Sequence, residues 1–176
     1  RYLEKCVELG VTNIHVHKGP TIWPLNSDAF DVTDIDQTAT LFTDLTFIIE
    51  HCGLPRFEDF CWIAQQESNV WGGLAVVMAF IHTRPRYFGE VMAELLWWLG
   101  EDKLTFASDY ALWHPKWLVE KFIDFELPED LKERYGVDLT MEAKTKILGL
   151  NAASLYGIDV EAQKKKLAND GLALAA

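Results

Sequence analysis

The chain has 176 residues, a formal net charge of -11 at pH 7 and 49% hydrophobic residues. This composition excludes a disordered chain and fits one domain with a sizeable core, while the acidic balance, with no basic stripe, speaks against nucleic acid and an anionic membrane as partners. No apolar run approaches a membrane span, and three cysteines without framework spacing (Cys6, Cys52, Cys61) point to a reducing, cytoplasmic setting.

The first segment, RYLEKCVELG, has no initiating methionine or signal peptide and is already a helix pattern, with Gly10 as its C-terminal cap. Such a start reads as the middle of a longer protein. TNIHVH is a short β-branched strand broken by KGP, and residues 18–33 form a long loop rich in turn formers. DIDQTATLFTDL is a helix capped by Thr33 or Asp34, followed by the strand TFIIEH. RFEDFCWIAQQE is a helix with apolar residues at helical spacing, and NVWGGLAVVM a strand. RPRYFGEVMAELLWWLG is a helix with proline in its first turn and Gly100 at its end, and KLTFAS a strand. HPKWLVEKFIDF, LPEDLKERYG, TMEAKTKILGLNAASLYG and DVEAQKKKLAND are closing helices.

Four β–α units of this kind make a parallel sheet covered by helices. Either a doubly wound sheet or part of a (β/α)8 barrel satisfies the pattern. A doubly wound nucleotide fold would carry a glycine-rich turn after an early strand, whereas the only glycine pair, Gly72-Gly73, lies inside a strand and reads as close packing.

Parallel α/β folds place their chemistry at the carboxyl ends of the strands. His17 ends the first strand, His51 the second and Asp109 the fourth. Two imidazoles and a carboxylate form a partial ligand set for a divalent transition metal, Zn²⁺ before Mn²⁺ or Fe²⁺. Such an ion can generate hydroxide near neutral pH. His15 shares the strand face of His17 and can pack deeper. Trp23 in the first long loop, His82 after the third strand and His114 in the fourth loop are candidates for substrate contact, although His114 also stands where a helix begins. Cys52 reads as a small side chain beside His51 rather than a nucleophile. Strand alternation directs Glu50 away from His51. Lys18 reads as solvated, and Trp71, Trp97, Trp98, Trp113 and Trp117 as mostly core.

NIHVHKG, FIIEHCGLPRFED and LTFASDYALWHP, in that order, resemble the strand-five, strand-six and strand-eight segments of the amidohydrolase-related family, whose members include enzymes similar to aminocarboxymuconate-semialdehyde decarboxylase. KTKILGLNAASLYGI resembles the family's closing helix. The resemblance implies the C-terminal half of a TIM-like (β/α)8 barrel over residues 1–158, with a helical tail over 159–176. It implies a metal ligand at His17, a catalytic histidine at His51, and an aspartate at Asp109 that binds metal and handles a proton. The family's first-strand His-x-His pair has no counterpart here, so the missing ligands are expected from an N-terminal half or a homo-oligomer partner.

Hydrolysis of a small organic compound is the function this implies. Non-oxidative decarboxylation of a small carboxylic acid is the alternative, with Arg84 and Arg86 the nearest arginines for a carboxylate clamp. The wording also resembles amidohydrolase-like proteins found alongside bacterial diiron monooxygenases, which leaves a non-catalytic accessory role as a third expectation.

Overall fold

The computed structural model describes residues 1–111 and 113–169; residues 170–176 of the expected tail lie outside the described residues. Helix α1 (Tyr2–Glu8) leads into β1 (Asn13–His17), α2 (Asp34–Leu41), β2 (Thr46–Glu50), α3 (Phe57–Gln66) and β3 (Val70–Gly73). A short α4 (Phe80–Thr83) precedes α5 (Pro85–Leu99) and β4 (Leu104–Thr105). Helices α6 (Pro115–Asp124), α7 (Glu129–Tyr135), α8 (Met141–Thr145), α9 (Asn151–Leu155) and α10 (Val160–Asn169) complete the described chain.

The four strands are hydrogen-bonded in sequence order, β1-β2-β3-β4, and every pair is parallel. A doubly wound sheet reverses its strand order at a switch point. This sheet does not, so the architecture is a partial α/β barrel.

Register assigns the two faces. Phe47, Ile49, Val70 and Leu104 lie on the face packed against Phe60, Cys61 and Ala64 of α3 and Phe88, Met92 and Leu95 of α5, forming the apolar core. The opposite face carries Asn13, His15 and His17 of β1, level with Thr46, Ile48 and Glu50 of β2. Trp71, Gly73 and Thr105 continue it.

Several expected elements are shorter than the pattern implied. β3 stops at Gly73, and Val76 takes a positive φ of 61° before a 3-10 turn over Val77–Ala79. β4 pairs over two residues only, because the Phe106 amide donates to the Ile147 carbonyl at 2.9 Å and so leaves the ladder for the closing helices. The expected single helix over 140–157 contains a π turn, Lys146–Leu150, between α8 and α9. Trp97 and Trp117 are 54% and 55% exposed rather than core. Lys18 is also corrected: it is 5% exposed, and its ammonium pairs with Asp34 at 2.8 Å, pinning the long loop to α2.

Asn151 opens α9 and donates to the carbonyls of Glu101 (2.6 Å) and Leu104 (2.7 Å) at the start of β4. At the other end of α9, Asn13 of β1 donates to the Leu155 carbonyl at 2.7 Å. The closing helix therefore spans from the last strand to the first. Among the described residues no helix is long and apolar enough to cross a membrane.

Candidate active site at the strand ends

β1 ends with His17 on the polar face of the sheet. β2 ends at Glu50, and the next two residues turn sharply with positive φ, 69° at His51 and 50° at Cys52. Left-handed backbone at two consecutive non-glycine residues is costly and persists only where the surroundings over-determine it. The turn breaks strand alternation, so Glu50 and His51 both reach β1: Glu50 meets His15 and His51 meets His17. The expectation that alternation directs Glu50 away from His51 is corrected here: Glu50 keeps its strand face, and the turn at His51 brings the histidine to the same side.

His51 Nε2 lies 3.0 Å from His17 Nδ1, with the rings edge to face at a centroid distance of 4.4 Å. His17 Nε2 lies 2.8 Å from the Pro20 carbonyl. A carbonyl only accepts, so His17 carries its hydrogen on Nε2 and its Nδ1 accepts from His51 Nε2–H. His51 Nδ1 is then the bare nitrogen of a ring only 4% exposed, and among the described residues it has no hydrogen-bond partner. Gly19 makes this fit possible, since a Cβ there would stand 2.7 Å from His51 Cβ.

Burial is the largest influence on His51 and lowers its pKa; the neighbouring His17 acts in the same direction. The Ala75 backbone, Asp109 and Glu50 act upward, favouring a proton on the ring. Asp109 sits in the segment after β4 with φ 49°, and its charge bears on His51 without a hydrogen bond between them. His17, His51 and Asp109 thus share one end of the sheet, with direct contact only between the two histidines.

The remaining candidates occupy separate places. Trp23 is 92% exposed on the loop after β1. His82 stacks on Trp113 at 4.7 Å, with its Nε2 buried and without a hydrogen-bond partner among the described residues. His114 caps α6, its Nδ1 accepting from the Lys116 amide at 3.2 Å, which is the helix-start reading. Cys52 is fully buried, and that burial holds its thiol well above its usual pKa, which removes it as a nucleophile. Arg86 is committed to both oxygens of Asp130 at 2.7 Å, and Arg84 lies over the Tyr87 ring. Sequence reasoning missed Tyr156, whose hydroxyl meets His15 Nε2 at 2.7 Å.

The donors suit a divalent ion in type, an imidazole at His17 and a carboxylate at Asp109, but both ring nitrogens of His17 are engaged here, so binding would have to release its contact with His51 or Pro20. Among the described residues no three His, Cys, Asp or Glu side chains form a metal-binding group, so the set is partial.

A family model described as amidohydrolase matches residues 1–158. Among solved structures, the chain is similar to an uncharacterised TIM-barrel protein from Bordetella bronchiseptica, with a TM-score of 0.61 and 18% identity over 88% of this chain and 48% of that one. It is also similar to an amidohydrolase from Burkholderia multivorans with bound zinc, with a TM-score of 0.51 and 15% identity over 72% of this chain and 49% of that one. A dihydroxybenzoic acid decarboxylase from a Polaromonas species, with bound manganese and the inhibitor 2-nitroresorcinol, gives a TM-score of 0.51 and 16% identity over 89% and 53%. At these identities the likeness is one of fold, and the chain spans about half the length of each. No curated protein matches the sequence significantly.

Proposed function

Because the chain belongs to the amidohydrolase family, whose model covers residues 1–158, we propose that the complete protein is a metal-dependent hydrolase of a small organic compound. The observation that carries this reading is the 3.0 Å contact of His51 with His17 at adjacent strand ends, with the Asp109 charge acting on the same ring.

His17 and Asp109 would hold a divalent ion, zinc before manganese or iron, and the remaining ligands would come from the part of the barrel outside this chain. A metal there would supply a water of lowered pKa or a polarised carbonyl. His51, whose pKa burial lowers, is the general base: a proton arrives at the bare Nδ1 and returns from the same atom to the leaving group. Trp23 offers an apolar surface on the mouth loop, and His82 an unpaired nitrogen, for substrate contact. His114 is already spent on capping α6.

The test is elemental analysis of the full-length protein beside His17→Ala and Asp109→Ala, followed by a screen of esters, lactones, amides and carboxylic acids. Stoichiometric metal lost in both variants supports the reading. Carbon dioxide release from a carboxylic acid would replace hydrolysis with decarboxylation, the activity named for the Polaromonas structure. Metal-free protein after supplementation would favour an accessory role. His51→Ala is expected to retain the metal and to lose roughly 10²–10⁴-fold in turnover.

A further inference from the structure

Beneath the His17–His51 pair, the polar face of the sheet carries a second hydrogen-bonded chain. Glu50 Oε1 lies 2.6 Å from His15 Nδ1, and His15 Nε2 lies 2.7 Å from the Tyr156 hydroxyl. A carboxylate accepts only, so the Nδ1 hydrogen of His15 points at Glu50, while its Nε2 is hydrogen-bonded to the Tyr156 hydroxyl. The bond to Glu50 is charge-assisted and sets the direction of the His15 ring, and the half-exposed Tyr156 hydroxyl holds its other nitrogen.

Glu50 has little else to hold it. Its side chain is mostly buried, its Oε2 has no partner among the described residues, and a Cβ added at Gly73 would collide with its carboxylate. Stripped of His15, this would be an almost unpaired buried carboxylate, which costs free energy and would drive the side chain to another rotamer. The next rung down β1 is tied to the same closing segment, through Asn13 and the Leu155 carbonyl. Alternate residues of β1 thus serve one ladder: Asn13 and His15 anchor residues 155–156, and His17 meets His51.

We propose that Tyr156 and His15 are positioning residues of the site, holding the Glu50 carboxylate in place as the fixed negative charge beside His51. The closing helix is then a supporting part of the site, 141 residues away in sequence from the histidine it orients. Partners of this kind fix the tautomer and direction of the groups that do the chemistry. The inference rests on His51 as the working base, yet its test needs no metal and no substrate.

The experiment is nitrogen-15 NMR of the histidine rings in metal-free full-length protein, for the wild type, Tyr156→Phe and Glu50→Gln, with thermal midpoints measured in parallel. The wild type should show His15 with its hydrogen on Nδ1. Tyr156→Phe should shift the His15 Nε2 resonance and also move the His51 resonances, although Tyr156 does not touch His51, with little change in midpoint. Glu50→Gln should remove the Nδ1 preference of His15. Should that variant fail to fold, Tyr156→Phe decides alone. His15 with its hydrogen on Nε2 in the wild type, or His51 resonances unmoved by Tyr156→Phe, would overturn the proposal. Failure of the metal-dependent reading would show separately, as full-length protein that holds no metal.

Discussion

At the scale of single residues, the site depends on one absent side chain as much as on the reactive ones. Gly19 lies against His51, and a methyl group there would have to push the histidine or its own loop aside. Gly19→Ala is therefore expected to destabilise by roughly 1–3 kcal/mol, as overpacking does. It should also disturb the His17–His51 contact, which denaturant titration and the histidine ring resonances would report together. The positions of His17 and His51 at strand ends were legible because each ends an apolar run, whereas β4 stops four residues before Asp109. Glu50 was misjudged because the alternation rule assumes a strand that continues, whereas the positive φ at His51 ends it one residue early. Lys18 was misjudged because its partner, Asp34, lies across a loop whose path a sequence does not specify.

At the scale of elements, polar side chains tie strands to helices. Asn69 precedes β3, and its amide donates to the carbonyls of Ala39, Phe42 and Leu45 at 3.2, 3.2 and 2.9 Å, closing the end of α2 and the turn into β2. Asn69→Ala leaves these acceptors without that donor and should cost about 1–3 kcal/mol by urea unfolding. Helix α3 carries a pH dependence. Burial first, then the charges of Glu94 and Glu58, hold the Cys61 thiol far above its ordinary value, and burial does the same to Cys52. The folded pKa is raised in both, so their contribution to stability is fully present below the unfolded value, about pH 8.5. It is lost as pH rises, because the unfolded thiols ionise while the folded ones stay protonated. Each should remove about 1.4 kcal/mol per pH unit above that point. Urea unfolding at pH 7 and pH 10 should show the steep alkaline loss in the wild type. Cys61→Ala, although less stable at pH 7, should show a shallower one.

At the scale of the whole molecule, the sheet has unequal edges. The β4 side is met by the chain's own closing segment, through Phe106 and Ile147. Among the described residues, β1 pairs only with β2. The neighbouring segments expose Leu9, Val11, Ile22, Trp23, Leu25 and Leu41. A free strand edge fringed by apolar side chains is a template for association. The isolated 176-residue chain is therefore expected to self-associate in a concentration-dependent way by sedimentation velocity, and a monomer at every concentration would refute that expectation. In the proposed complete protein, the same edge would pair with further strands of the barrel.

The sequence by itself determined the parallel α/β class, the order of the elements, and the positions of His17 and His51 at the ends of β1 and β2, because apolar periodicity and its interruption are local properties of the chain. Tertiary structure alone decided that β3 and β4 stop early, that His51 turns to the face of Glu50, and that Tyr156 reaches His15. Each of these depends on a contact between residues far apart in the chain or on a backbone torsion imposed by packing. Alternation and helical spacing describe one segment at a time, whereas a proton-handling site is assembled from the ends of several.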